Sequence, residues 1–389
     1  MRERGDAALR ELTARFDATE IGAGEIELRV PVERVKAARE QAGEGFVGAL
    51  EVAARNIRAV ARAELEASAD TRLELSGGQA VSVLARPMAA AGVYVPGGRA
   101  AYPSSVLMCC IPARVAGVER IALASPAGPD GRVDPVVLAA CAIAGVDEVH
   151  ALGGAAAIAA LAYGTESVMA VDVIAGPGNR FVNAAKRLVF GDVGVDGVAG
   201  PSELVLVSDG SVDARALALD LLAQAEHGDD GLLVAIAPDP GPLDELADHL
   251  AELAPVRPSV KAASLLLVEA PEIGAAVELA DAIAPEHLEL AFAGADERVA
   301  GDRTAGCVFF GPVGAVAFGD YAAGSNHVLP TGGGARFGGP LGVNAFRRRT
   351  SVVNLPLGAA AALAPRVSAL AEAEGFPVHG ESANARAAG

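Results

Sequence analysis

In the stretch Leu221-Leu-Ala-Gln-Ala-Glu-His-Gly228 a helix with one apolar side turns polar just before it ends. At helical spacing Leu217, Leu221 and Gln224 share a face and His227 stands three residues beyond Gln224, so an amide and an imidazole sit side by side and could hold a metal. Gly228 supplies the left-handed residue that closes a helix, which places the pair in an open last turn. The alternative is a helix end reaching solvent, where His227 suits the negative end of the dipole. The other histidines bear on that choice.

Of the six histidines, four lie in polar, turn-prone strings: His227, Pro285-Glu-His287, Gly319-Asp-Tyr-Ala-Ala-Gly-Ser-Asn-His327 and Glu374-Gly-Phe-Pro-Val-His379. His249 falls on a charged helix face and His150 on a strand, and both are read as structural. Imidazole, amide oxygen and carboxylate together suit Zn²⁺ or a similar divalent ion, and Asp320 is the natural carboxylate of that set. Glu286 and His287 need another explanation, because neighbours in an extended segment point to opposite sides and do not chelate one ion together. A carboxylate and an imidazole at one place suit proton transfer near neutral pH, with a capping or salt-bridge role as the alternative.

These residues need elements to position them. Residues 1–17 read as a helix, 26–30 as a short strand, and 32–42 and 46–67 as helices. Gly43-Glu-Gly-Phe-Val-Gly48 matches the dinucleotide fingerprint formally, but no strand leads into it, so it is set aside. From residue 91 strands and helices alternate, with strands at 92–95, 120–124, 148–152, 170–174 and 204–207 and helices near 104–116, 134–144, 155–162 and 180–189. Such alternation predicts a parallel sheet covered on both faces. Glycine turns follow the strands at Pro96-Gly-Gly98, Gly153-Gly154 and Gly176-Pro-Gly-Asn179, which marks one sheet edge as a cofactor crevice.

A second series follows, with helices at 213–227, 242–252, 271–283 and 295–301 and strands at 232–236, 263–268, 288–292 and 307–310. Residues 319–342 hold eight glycines and read as a mobile loop or lid. The tail after 346 carries one helix near 366–374, stopped by Gly375 and Pro377, and its last dozen residues have too little apolar surface to fold alone. The fold expected is α/β: two open, mostly parallel Rossmann-like domains with a helical N-terminal segment and an extended C-terminal tail. The boundaries expected are 1–30 for that segment, 94–207 for the cofactor domain, 31–93 plus 208–345 for the metal and substrate domain, and 346–389 for the tail.

With 389 residues, 52% of them hydrophobic, the chain can fill two cores. Its 49 acids against 31 bases give a net charge of −18, which disfavours nucleic acid and anionic membrane and points to a small-molecule partner. The sequence shows no leader and no apolar run long enough to span a bilayer, so a cytoplasmic location is expected. Cys109, Cys110, Cys141 and Cys307 sit among apolar neighbours without metal spacing and read as reduced thiols.

Six colinear strings carry a family resemblance: Tyr94-Val-Pro-Gly-Gly98, Gly176-Pro-Gly-Asn179, Gly200-Pro-Ser-Glu203, Leu222-Ala-Gln-Ala-Glu-His-Gly228, Ala284-Pro-Glu-His-Leu288 and Gly319-Asp-Tyr-Ala-Ala-Gly-Ser-Asn-His-Val-Leu-Pro330. Together, and over nearly the whole chain, they resemble histidinol dehydrogenase. The resemblance implies Zn²⁺ held by Gln224, His227, Asp320 and His379, one ion per subunit, with the last ligand crossing from the partner subunit of a homodimer. It implies that Ser202, His327 and Glu374 contact the substrate L-histidinol alongside Gln224, His227, His287, Asp320 and His379. Glu286 and His287 would be the proton-transfer pair, and Tyr94 and Asn179 match cofactor-binding positions. The implied reaction is oxidation of L-histidinol to L-histidine with two NAD⁺ through a bound aldehyde, the last step of histidine biosynthesis.

Two departures stand out. Where the family has Gly-Gly-Ala-Gln, this chain reads Gly153-Gly-Ala-Ala156, so a cofactor-contacting glutamine is replaced by Ala156. The chain also begins later than family members, whose leading segment precedes the Arg2-Glu-Arg-Gly-Asp6 region. Two further readings compete: a zinc and NAD dehydrogenase for another small polar alcohol, such as a sulfonated diol, and a metal- or nucleotide-binding protein with little catalysis. Retention of Glu374 and His379, which would face the imidazole and amine of histidinol, favours the first reading.

Overall fold

The structure is a computed structural model that describes residues 1–17, 20, 22, 26–97 and 100–387. It opens with helices α1 (Gly5–Phe16), α2 (Val32–Gln41) and α3 (Glu44–Ala67), followed by strands β1 (Thr71–Glu74) and β2 (Ala80–Pro87). The first alternating series is β3 (Ala90–Tyr94), α4 (Pro103–Ala116), β4 (Arg120–Ser125), α5 (Pro135–Ala144), β5 (Glu148–Ala151), α6 (Gly154–Tyr163), β6 (Val173–Ala175), α7 (Arg180–Val189) and β7 (Gly194–Val195). The second is β8 (Glu203–Ser208), α8 (Ala214–Ala225), β9 (Leu232–Ala237), α9 (Pro240–Leu253), β10 (Ser264–Glu269), α10 (Ile273–Ile283), β11 (His287–Ala291), α11 (Glu297–Gly301), β12 (Cys307–Phe310) and α12 (Val316–Tyr321). The chain closes with β13 (Arg347–Asn354), α13 (Leu357–Ala373) and α14 (Pro377–Ala387).

Each series builds one parallel sheet, in the orders β5-β4-β3-β6-β7 and β10-β9-β8-β11-β12. Period-two alternation explains the second core. Leu204 and Leu206 of β8 pack with Leu217 and Leu221 of α8 and Leu243 and Leu246 of α9, while Val205 and Val207 meet Ala276, Val277 and Ala280 of α10. A Leu side chain buried this fully contributes about 1.5–3 kcal/mol. Local signals agree with the helix bounds: Asp134 accepts from Val136 N at the start of α5, Pro135 takes the first turn, and Gly145 closes the helix at φ 71°. Among the described residues no helix is long and apolar enough to cross a membrane. Cys109, Cys110 and Cys141 are buried free thiols, pushed up by burial.

The chain divides into two compact units, one of Met1–Ala63 with Met88–Phe346 and a second of Glu64–Pro87 with residues from Arg347 onward. The second holds an antiparallel sheet, β1-β2-β13, in which β2 and β13 pair over their full lengths. Its helices α13 and α14 and the turn between them leave Leu357, Leu370, Phe376 and Val378 exposed.

Several local expectations are corrected. Residues 26–30 form no strand; Ile26, Leu28 and Val30 are buried alternately, but only Arg29 bridges the edge of the first sheet, at His150. The strand expected at 170–174 is β6, shifted to Val173–Ala175. Strands β1 and β2 were not expected, and β1 is exposed along its whole length, so no apolar alternation announces it. The tail is more regular than expected, because Pro377 begins α14 instead of only ending the preceding helix. Residues 319–342 include the end of α12 and a 3₁₀ turn at Gly334–Arg336, and they are tied down where Asn326 Nδ2 donates to Met108 O at 2.6 Å and Gly332 N donates to Glu203 Oε1 at 3.0 Å. Gly98 of the first glycine turn lies outside the described residues.

Candidate active site

Helix α10 ends at Ala284, whose left-handed backbone (φ 54°) redirects the chain through Pro285 into β11. The turn delivers Glu286 and His287 to the amino end of β11, beside the start of β8. The second sheet therefore presents its polar residues at the amino ends of its strands, whereas the first presents Tyr94, Gly153 and Gly176 at carboxyl ends. Only the latter arrangement follows the usual rule for open parallel sheets.

Glu286 Oε2 accepts from Ser202 Oγ at 2.6 Å and from Glu203 N at 2.9 Å. In return the Glu203 carboxylate accepts from Glu286 N at 3.2 Å. This exchange locks the two strand starts together. Gln224, buried at the end of α8, donates from Nε2 to Ser202 Oγ and stands 3.2 Å from His287 Nδ1. Its Oε1 accepts no hydrogen bond among the described residues.

His287 is buried, with Nδ1 3.2 Å from Glu203 O and 3.5 Å from Glu286 Oε2. Its Nε2 faces Asp320 Oδ1 at 3.3 Å but off the axis of a hydrogen bond, so the contact is an ion pair. Burial pushes the ring toward its neutral form, yet Asp320 and Glu286 together outweigh it and raise the pKa to about 10. Asp320 shows the converse: burial pushes its carboxyl up, and His287, with smaller effects from His327 and His227, holds it below the usual range.

His327 has both ring nitrogens occupied, Nε2 by Ser105 Oγ at 3.0 Å and Nδ1 by Asp320 O at 2.9 Å. Burial lowers its pKa, so a neutral ring donates to that carbonyl and accepts from the serine. His227 follows α8 on the turn where its N–H reaches Gln224 O, and its exposed ring carries no hydrogen bond among the described residues. Gly228 is not left-handed, contrary to expectation; α8 ends through tight turns at Glu226 and His227.

One cavity is lined by Tyr94, Ala156 and Asn179 on one side and by Ser202, His227, Glu286, His287, Asp320 and His327 on the other. The Tyr94 hydroxyl accepts from Gly154 N at 3.1 Å, and burial, with Asp17 nearby, raises its pKa to about 12. Asn179 caps α7, its Oδ1 accepting from Phe181 N and Val182 N at 3.0 and 3.2 Å. Ala156 is half-buried in the first turn of α6. Glu374 and His379 belong to the second unit: Glu374 caps α13, and His379 is exposed on α14 with its ring 5.8 Å from that of Phe376.

The donor chemistry fits a divalent ion. Gln224 offers an unengaged amide oxygen, His227 an imidazole without a hydrogen bond among the described residues and Asp320 a carboxylate held low, the donor types that a divalent ion takes. Among the described residues no three His, Cys, Asp or Glu side chains are grouped so that they could hold a metal ion by themselves.

A profile of the family described as histidinol dehydrogenase matches residues 1–387. The chain belongs to the histidinol dehydrogenase family. It is 45% identical to histidinol dehydrogenase of Pseudomonas aeruginosa, over 99% of this chain and 88% of that protein. It is 46% identical to the Methylococcus capsulatus enzyme over 99% of this chain and 89% of that one. The crystal structure of histidinol dehydrogenase from Elizabethkingia anophelis superposes with a TM-score of 0.91 at 30% identity, covering 98% of this chain and 88% of that one.

Within this histidinol dehydrogenase fold, sequence reasoning missed Ser105 and Glu203. Neither sits in a histidine-bearing string; Ser105 meets His327 across 222 positions. Glu203 was visible in Gly200-Pro-Ser-Glu203 but carried no signal that it would grip Glu286.

Proposed function

We propose that this member of the family oxidises L-histidinol to L-histidine with two NAD⁺ and one water, through histidinaldehyde that stays bound. The observation that carries the reading is the single network Ser202–Glu286–His287–Asp320, with Gln224 against both Ser202 and His287. In this reading residues 94–207 serve the cofactor and residues 31–93 with 208–345 the metal and substrate. Gln224, His227 and Asp320 would hold Zn²⁺, with the partner's His379 as the fourth ligand of a homodimer. Bound there, Zn²⁺ supplies a Lewis-acidic anchor for the imidazole and amine of the substrate.

His287 receives the hydroxyl proton as hydride leaves for the nicotinamide. Glu286, aimed by Ser202 and Glu203 N, takes a proton from the water that adds to the aldehyde, and the resulting hydrate gives up the second hydride. Ser202, His327 and the partner's Glu374 orient the substrate. Tyr94, Asn179 and the first turn of α6 around Ala156 receive NAD⁺. A partner subunit is supported by the apolar side chains that α13 and α14 expose, Leu370 and Val378 among them.

The test is to supply purified protein with NAD⁺ and L-histidinol and to count NADH against histidine. Two NADH per histidine is the expected yield. No NADH at saturating NAD⁺ overturns the reading.

A further inference from the structure

The inward face of α7 carries two buried polar residues almost one turn apart, Asn183 and Lys186. Lys186 Nζ donates to Gly176 O and to Asp196 Oδ1, both at 2.6 Å, and Asp196 Oδ2 accepts from Gly176 N at 2.7 Å. Both backbone groups of Gly176 are thus gripped by one ion pair. Gly176 has φ 114°, and a Cβ there would run into the carbonyl oxygen of Tyr94, so the glycine turn is pinned against β3.

Asn183 does something different. Its Nδ2 donates to Gly178 O at 3.0 Å, inside the turn that ends in Asn179, and also to Ala199 O. Ala199 lies three residues before Ser202, whose hydroxyl holds Glu286. The Oδ1 of Asn183 is buried and accepts nothing, so this amide serves through its two hydrogens alone.

We infer that Asn183 is a positioning residue that couples occupancy of the cofactor turn to the aim of Ser202 and Glu286. The inference rests on the proposed use of NAD⁺ and histidinol. A cofactor that settles on Asn179 fixes Gly178, and through one planar amide it fixes the lead-in to β8. An amide with two hydrogens spans the two carbonyls; neither a carboxylate nor an apolar side chain does.

The experiment measures NAD⁺ affinity calorimetrically on the zinc-loaded protein, with and without saturating L-histidine, the product, which does not turn over with NAD⁺. In the wild type L-histidine is expected to tighten NAD⁺ about fivefold or more, within the usual range of site-to-site coupling. In Asn183→Ala the ratio should fall to within about twofold of unity, while each ligand still binds alone. Hydrogen exchange of residues 199–202 gives a second readout: NAD⁺ alone should slow it in the wild type and leave it unchanged in the variant. If Asn183→Ala does not fold, Asn183→Ser, which keeps one donor hydrogen on a shorter side chain, takes its place with the same expectation. A ratio retained in the variant, or absent from the wild type, overturns the inference and leaves the proposed reaction standing. A wild type that binds no NAD⁺ overturns both.

Discussion

The Ser202 hydroxyl lies 2.6 Å from Glu286 Oε2, and the N–H of Glu203 reaches the same oxygen at 2.9 Å. With Oε2 committed, Oε1 is the atom left to meet a water. In Glu286→Gln the aldehyde step should slow by about 10²- to 10⁴-fold, while alcohol oxidation suffers less. The yield of NADH per histidinol should then drop from two toward one, with aldehyde trapped by a carbonyl reagent. Equal loss in both half-reactions would remove the water-activating role.

The exposed His227 ring can be deleted at little cost to packing. In His227→Ala we expect zinc per subunit, read by atomic absorption, to fall well below one, with circular dichroism unchanged. Chelation should silence the wild type and added Zn²⁺ restore it. Unchanged zinc content in the variant would remove His227 from the ligand set.

Glu289, buried on β11 two residues from His287, lies beside Asp220, one turn before Gln224 on α8. Burial raises both carboxyls, and Glu289 is raised further by its neighbour. A carboxyl raised on folding contributes stability that is full below its unfolded value and is lost as pH climbs through the raised one. Denaturation midpoints should therefore fall from neutral toward alkaline pH, by up to about 1.4 kcal/mol per pH unit for one proton. Glu289→Gln, which cannot ionise, should flatten that slope. Identical slopes would show that the pair is not protonated in the folded state.

Ala156, in the first turn of α6, lines the cavity at the position where the family resemblance implies a glutamine. Ala156→Gln should tighten NAD⁺ by about two- to tenfold, the equivalent of one net hydrogen bond, with histidinol affinity unmoved. Calorimetric titration of both ligands decides; an unchanged NAD⁺ affinity would mean that the remaining contacts suffice.

Much of the site was legible because polar residues that interrupt apolar periodicity are conspicuous: Gln224 and His227 at the end of α8, Glu286 and His287 after α10, Asp320 among glycines. Both parallel sheets were legible from the alternation of buried strands and helices. What stayed hidden depends on contacts between distant positions. Ser105 and Asp320 occupy both nitrogens of His327, which no local pattern encodes. Strand β1 carries no apolar face, and no local pattern announces that Asp320 faces His287. Glycines at 319–342 suggested looseness, yet Asn326 bonds to Met108 O and Gly332 N to the Glu203 carboxylate.

Among the described residues Ala284 alone adopts a positive φ without being glycine, and it is completely buried just ahead of Glu286. An L-residue in that conformation costs roughly 1–2 kcal/mol, so the hinge is stiff and slightly uncomfortable. Ala284→Gly would relieve the discomfort and widen the range of directions in which the carboxylate swings. Here hardiness and accuracy pull apart: a tougher protein would be a clumsier catalyst.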